Sequence, residues 1–520
     1  MKRVWIVAAT LLVPAAAHAS PAEMFGLGGP SMGRAGVGIT LDTDPYSSWR
    51  NPGSLGLATT SEISLGIHAG WMNFRCFDDV RVGDDGTEIC PETILWDGDR
   101  DGRVREDSAA DRWSPVADDL PYEAPSGLRL GLTKTLGDRV RVSLAANFPL
   151  QRILLIQQQD PWLPYYVRWK NRHQRLGLYI AGAVKIFDGF SVGVGIGVLA
   201  RARLTLNFDI EARVSDEALS EGGEEGSLEA DFLVNPRGIE VDVRPAFAPI
   251  VGITWDLGGV AEVLRGLRFG VVYRHPVTLE IAPTRLGLNL TGVVDDVGSF
   301  GNVIVPLNAQ VLFSILDFST PRRVAGSVGF TRDRGAISVD VTWHQWSKIV
   351  PNVTDIDEEN TDVTIGLVDL DAEILNAHPM GELDFRNTVS VQVGGELRPP
   401  EIPLKGKVGA RMKSLGFVVR AGYGFEPSFA PEQTGLTNVL DNDVHRVTVG
   451  LGVFTGLPFP NFGGPIHLDL FAQLHVMPQR THTKDATLVA DGWVEGWPLS
   501  GRIESGGWAV IAGGDVRLEW

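Results

Sequence analysis

The chain has 520 residues, 44% of them hydrophobic and 8% aromatic, with a formal net charge of −18. Such an acid excess argues against a nucleic-acid partner, because phosphate binding needs clustered Lys and Arg. Beyond the N-terminus there is no run of about 18 consecutive apolar residues, which excludes transmembrane helices.

In chain order, Lys2 and Arg3 precede a mostly apolar run over residues 4–17 that closes on Ala17, His18 and Ala19. This is the pattern of a secretory signal peptide over residues 1–19, cleaved after Ala19. In an exported chain the two cysteines, Cys76 and Cys90, read as one disulfide.

Residues 20–58 form the next unit, with eight glycines among positions 25–56. Gly28 to Gly33 has P-loop spacing, but Arg34 and Ala35 stand where Lys and Ser or Thr belong, and no strand precedes them, so a phosphate cradle is excluded. Glycine-rich segments are commonly linkers. Met24, Phe25, Leu27, Met32, Val37, Ile39 and Trp49 are poor linker residues.

From residue 59 to 520 the dominant signal is period-two alternation. Ile466, Leu468, Leu470, Ala472, Leu474 and Val476 alternate with His467, Asp469, Phe471, Gln473 and His475. Fourteen such segments begin near residues 61, 124, 139, 172, 189, 243, 267, 321, 336, 386, 415, 443, 465 and 507. Long connections alternate with tight turns such as Gly137-Asp138 and Asp188-Gly189. An even number of long antiparallel strands, long loops on one side and short turns on the other, predicts an all-β fold: a 14-stranded transmembrane β-barrel of the bacterial outer membrane. A soluble sandwich also alternates, but its strands run to about five or six residues. Trp343, Trp346 and Trp508 are candidates for an interfacial girdle, and the alternating terminus ends on Trp520, resembling the signal read by the barrel-assembly machinery.

A barrel of this size is too wide for side chains alone to fill. Residues 20–58 precede the first strand and are the candidate hatch that folds into the lumen, where glycine lets backbone approach the wall.

The ordered set GRAGVGITLDTDPYSSWRNPGSL, GLRLGLTKTLGDRVRVSLAANFPL, PRRVAGSVGF with VDVTWHQWSKI, and VVRAGYGFEPSFAPEQ before DNDVHRVTVGLGVF resembles the long-chain fatty acid outer-membrane transporter (FadL) family across nearly the whole mature chain. The resemblance implies a hatch inside the barrel, with Met24, Phe25, Asn51, Pro52 and Gly53 at the gate. That family carries Asn-Pro-Ala where this chain has Asn51-Pro52-Gly53. It further implies passive uptake of long-chain fatty acids or other hydrophobic compounds by loop capture, lumenal binding and sideways release through a gap at the third strand. The corresponding stretch here includes Asn147, Phe148 and Pro149. Pro149 either interrupts pairing or simply ends the strand, since proline has no N–H for the ladder.

The first long loop holds fourteen Asp or Glu against six Arg over residues 75–122. Asp97, Asp99 and Asp101 before Gly102 make the first half of a calcium loop, although Ser108 replaces the usual bidentate Glu. The competing readings are a solvated acidic loop or contact with divalent-bridged lipopolysaccharide; no other cofactor is expected. In the second loop Leu154, Leu155, Trp162, Leu163, Tyr165 and Tyr166 form either a capture surface for a hydrophobic small molecule or a packed lid. Gly189-Phe190-Ser191-Val192-Gly193 fits G-x-S-x-G but starts a long strand and not a strand-turn-helix elbow, so no enzyme is expected. Arg139, Arg141, Arg201, Arg203, Asp469 and His475 are candidate lumen-facing groups. They motivate the alternative of a porin-like channel for polar solutes. A monomer is expected.

Overall fold

A computed structural model describes residues 21–82, 87–89, 93–94, 122–150, 164–170, 176–214, 230–276, 289–294, 303–308, 312–313, 320–348, 354–355, 363–365, 368–370, 384–404, 414–435, 437–456, 464–484 and 502–520. The signal peptide, Cys90, the three aspartates of the calcium motif, and Leu154, Leu155, Trp162 and Leu163 lie outside the described residues.

The barrel strands are β1 (Glu62–Phe74), β2 (Gly127–Leu136), β3 (Val140–Pro149), β4 (Gly177–Phe187), β5 (Phe190–Val214), β6 (Ala230–Asp256), β7 (Leu267–Arg274), β8 (Arg322–Arg332), β9 (Gly335–Gln345), β10 (Thr388–Leu397), β11 (Ser414–Glu426), β12 (Val444–Gly456), β13 (Pro465–Thr483) and β14 (Arg502–Glu519). Each pairs antiparallel with its sequence neighbours. The ring closes where β1 pairs β14 from Glu62↔Glu519 to Phe74↔Gly507. Ser61 and Trp520 exchange main-chain hydrogen bonds beyond that pairing.

All fourteen expected strands are present. The sixth begins at Ala230 and not near 243, because β5 and β6 run on together to Val214↔Ala230, well past what a membrane requires. There β5 also pairs parallel with Asn289–Val294.

Alternation decides which residues face lipid. On β13 Leu468, Leu470, Leu474 and Val476 are exposed, while Asp469, Phe471, Gln473 and His475 are buried in the lumen. The same outward apolar band continues through Ile63, Leu65 and Ile67 on β1 and Val140, Val142 and Leu144 on β3. A closed sheet with an apolar exterior and a polar interior is an outer-membrane β-barrel. Among the described residues no helix is long and apolar enough to cross a membrane. The short turns define the periplasmic end and the long connections the extracellular end.

Candidate functional site

Residues 21–58 lie inside this ring. Four short helices, α1 (Pro21–Phe25), α2 (Gly29–Met32), α3 (Ser47–Arg50) and α4 (Pro52–Leu55), are joined by turns and almost wholly buried. The wall holds this plug through polar side chains from many strands. The Asp340 carboxylate on β9 accepts from the N–H groups of Gly38 (3.1 Å) and Ile39 (3.3 Å). Asp515 on β14 accepts from the Gly29 N–H. Arg446 on β12 donates to the Ala35 and Met24 carbonyls, Gln473 on β13 to those of Phe25 and Met32, and Arg274 on β7 to those of Trp49 and Arg50. These bonds satisfy main-chain groups that the short helices leave unpaired.

A charge network runs through the periplasmic half. Arg34 pairs with Asp42 and with Glu396 (3.0 Å), and Arg50 pairs with Asp42 and Asp44. Glu396 continues to Arg420 (3.1 Å), Arg420 to Asp469 (2.6 Å) and Asp469 to Arg517 (2.7 Å). Arg129 meets Asp515 at 2.9 Å. Buried ions are tolerated here because each has a partner.

Asn51, Pro52 and Gly53 form a tight seat. The Asn51 side chain caps α4 by accepting from the Gly53 N–H (3.0 Å) and donates to the Ile39 carbonyl and the Thr254 hydroxyl. Opposite them the wall carries Gly193 and Gly252, where any Cβ would strike Pro52 or Asn51. At Gly53 a Cβ would lie 2.7 Å from the Gly252 carbonyl oxygen, so the Ala of the resembling family does not fit here.

Met24 and Phe25 stand at the plug's extracellular tip. Phe25 meets His475 edge-on at 5.7 Å and lies 6.2 Å from Trp169. Above it the connections fold inward as a lid. Tyr165 and Tyr166 pair parallel with Val439 and Leu440, Tyr166 stacks on Phe74 (4.6 Å), and Trp346 stacks on Phe429 (3.8 Å). Arg168 ties the lid together through Asp441 (2.8 Å) and Glu426. Between lid and plug the cavity measures only about 30 Å³, and one of about 70 Å³ lies between the plug and the wall; Glu23, Arg323, Glu426 and Arg446 line both. The larger spaces, about 340 Å³ and about 620 Å³, lie at the periplasmic mouth and are lined by charged groups.

Several expectations change. Tyr165 and Tyr166 are buried in the lid and present no exposed capture surface. Trp346 belongs to the lid stack and not to a lipid-facing girdle, because a 3-10 turn over Trp346–Lys348 leaves the strand and swings the ring inward. Arg139 sits in the exposed β2–β3 turn, whereas Arg141 is buried and donates to the Ala58 carbonyl. The side chains of Arg201 and Arg203 lie outside the described residues. β3 pairs with β2 from Val140 to Pro149 and with β4 from Val140 to Asn147, without a register shift, and among the described residues Phe148 and Pro149 have no partner on β4. Leu150 N–H still bonds the Ser126 carbonyl, so Pro149 ends the strand and does not break it. Cys76 is disulfide-bonded, and the sequence holds one other cysteine, Cys90. Among the described residues no group of acidic, His or Cys side chains could hold a metal.

The latching carboxylates Asp340 and Asp515 and the lid pair Arg168–Asp441 escaped sequence reasoning. For the first two a signal existed, an acid at an inward-facing position of a strand.

The fold is similar to several solved barrels. A Pseudomonas aeruginosa FadL homologue is 12% identical, covering 95% of this chain and 97% of the other, at a TM-score of 0.45. The CymD monoaromatic hydrocarbon channel (12%, 95% and 97%, TM-score 0.46) and the P. putida toluene transporter TodX (12%, 95% and 99%, TM-score 0.46) are similar to the same degree. By sequence the chain matches no family model and no curated relative.

Proposed function

We propose that this barrel takes up hydrophobic compounds, long-chain fatty acids or other apolar molecules, passively across the outer membrane without covalent chemistry. The observation that carries the reading is the doubly closed lumen: a hydrogen-bonded plug below and an aromatic lid above. A water-filled pore serves polar solutes, whereas an apolar solute is better served by a closed path that keeps its surface out of water, and Met24, Trp169, Trp346 and Val444 give the space between lid and plug an apolar side opposite its charged groups. The ordered motifs resembling the fatty acid transporter family support the same reading.

In this scheme the extracellular loops capture the ligand and the space beside Phe25, Trp169 and His475 receives it. The cavity there is too small for a drug-sized ligand, which needs roughly 300 Å³ or more. Binding therefore displaces lid or plug side chains. Lateral release below Phe148 requires the β3–β4 ladder to part, since it is paired from Val140 to Asn147. Lipopolysaccharide contact, calcium in the first loop, assembly through Trp520 and a monomeric state belong to the same proposal.

The test pairs two measurements on the purified chain. Planar bilayers should show no stable open channels, and proteoliposomes should accumulate a fluorescent fatty acid or an aromatic hydrocarbon faster than protein-free vesicles. Stable ohmic conductance without hydrophobic uptake would instead identify a porin-like channel for polar solutes.

A further inference from the structure

The inward face of β3 carries Arg141, Ser143, Ala145 and Asn147 in succession. Asn147 is fully buried, and among the described residues neither its amide nitrogen nor its carbonyl oxygen has a hydrogen-bond partner. Its surroundings explain why. On the same face Ala145 lies one step toward the periplasm and Pro149, with no N–H, one step outward. Across the ladder to β4 the paired residue is Gly177, which has no side chain. Across to β2 it is Arg129, whose guanidinium is already committed to Asp515, the Met32 sulfur and His68. His68, which Arg129 contacts, lies 6.3 Å from the Phe25 ring of the plug tip.

A buried amide left without partners is costly, and an apolar residue of the same shape removes that cost. We propose that Asn147 is a specificity-determining residue that binds the polar head of an otherwise apolar ligand. The inference rests on the uptake reading above. An amide offers both a donor and an acceptor, so the matching head is one that accepts and donates at once: a hydroxyl or an un-ionised carboxyl group. A plain hydrocarbon gains nothing from it.

The experiment uses the full chain in lipid nanodiscs with two probes of equal length, dodecanol and dodecane, followed by tryptophan emission and by thermal unfolding without ligand. Wild type should bind the alcohol about tenfold more tightly than the alkane, the size expected for one hydrogen bond. Asn147→Leu should bring the alcohol down to the alkane's affinity, leave the alkane unchanged, and unfold at a higher temperature. Asn147→Ser, smaller and still able to hydrogen-bond, should keep part of the preference. A lower unfolding temperature for Asn147→Leu means that the amide is structurally partnered, and overturns the proposal. Equal loss of both probes in that variant overturns it as well. If wild type binds neither probe, the uptake reading fails and takes this inference with it, whereas binding without discrimination sinks the inference alone.

Discussion

Gly53→Ala installs the residue that the resembling family carries, and the geometry says it should harm this chain. The added Cβ would stand 2.7 Å from both the Gly252 carbonyl oxygen and Ile253 Cα, and 2.8 Å from the Gly252 carbonyl carbon. Ordinary contact begins near 3.4 Å, so one backbone must recede by about 0.7 Å, the difference between 3.4 and 2.7. Neither side gives easily. Gly53 is fastened by its bond to Asn51, and Gly252 is paired with Gly193 on one side and Val272 on the other. Overpacking of this kind costs about 1–3 kcal/mol, equivalent to a plug-seating equilibrium weakened roughly 5- to 150-fold. The assay is single-channel recording in planar bilayers, supported by thermal unfolding. Gly53→Ala should give brief current bursts where wild type is silent, and a lower unfolding temperature. Silent bilayers together with an unchanged unfolding temperature would refute the close approach of plug and wall.

Other perturbations probe the remaining contacts. Asp340→Ala leaves the Gly38 and Ile39 N–H groups without their acceptor; at about 1–3 kcal/mol per orphaned group, hydrogen exchange at those two amides should accelerate by about fivefold or more. Arg420→Leu uncouples Glu396 from Asp469 and should cost about 3–5 kcal/mol, read as a fall in unfolding temperature that exceeds the effect of any exposed-arginine control such as Arg265→Leu. Deleting residues 25–53 should leave a barrel that assembles and conducts ions, and an insulating barrel would count against the plug. Lys484 donates to the Gly435 and Thr437 carbonyls at the lid, and burial pulls its ammonium pKa from 10.5 down to about 7. Between those values an opened lid binds more protons than a closed one, so closure should strengthen as pH rises through that window and stay flat below it. Lys484→Met should abolish the slope, measured by hydrogen exchange over residues 433–441 at pH values spanning the window.

The strands were legible because a membrane barrel writes its structure in one dimension: lipid on one side, lumen on the other, alternating along each segment. On β13 the inward and outward assignments from Leu468 to Met477 follow from that rule, up to the bulge between Met477 and Arg480. The rule stops where the strand stops. Trp346 lies one residue past β9, and its side is set by a turn, not by parity. Likewise the preference of proline for strand ends could not separate a broken ladder from a finished one at Pro149; only its partner Gly127 on β2 and the bond from the Leu150 N–H to Ser126 decide it. Parity also names a side without naming a neighbour. Asp340 and Gly38, or Asp515 and Gly29, are hundreds of residues apart, and nothing local in either stretch points to the other.

One long-range relation was nevertheless open to reading. Inward-facing glycines in a central strand weaken it and usually mark a place where another backbone comes close. In this wall they form complementary pairs with the plug: Gly193 and Gly252 against Asn51 to Gly53, Gly394 and Gly422 against the main chain of Arg34, and Gly450 against Gly33. A wide barrel whose strands place glycine on the lumen side, preceded by a glycine-rich segment with scattered apolar residues, implies two backbones in contact. The strands that carry those glycines trace the path the plug takes around the wall. Gly33 and Gly53 of the N-terminal segment thus meet wall glycines far away in the chain, Gly450 for the first and Gly193 and Gly252 for the second, and substitution on either side of such a pair should have the same effect.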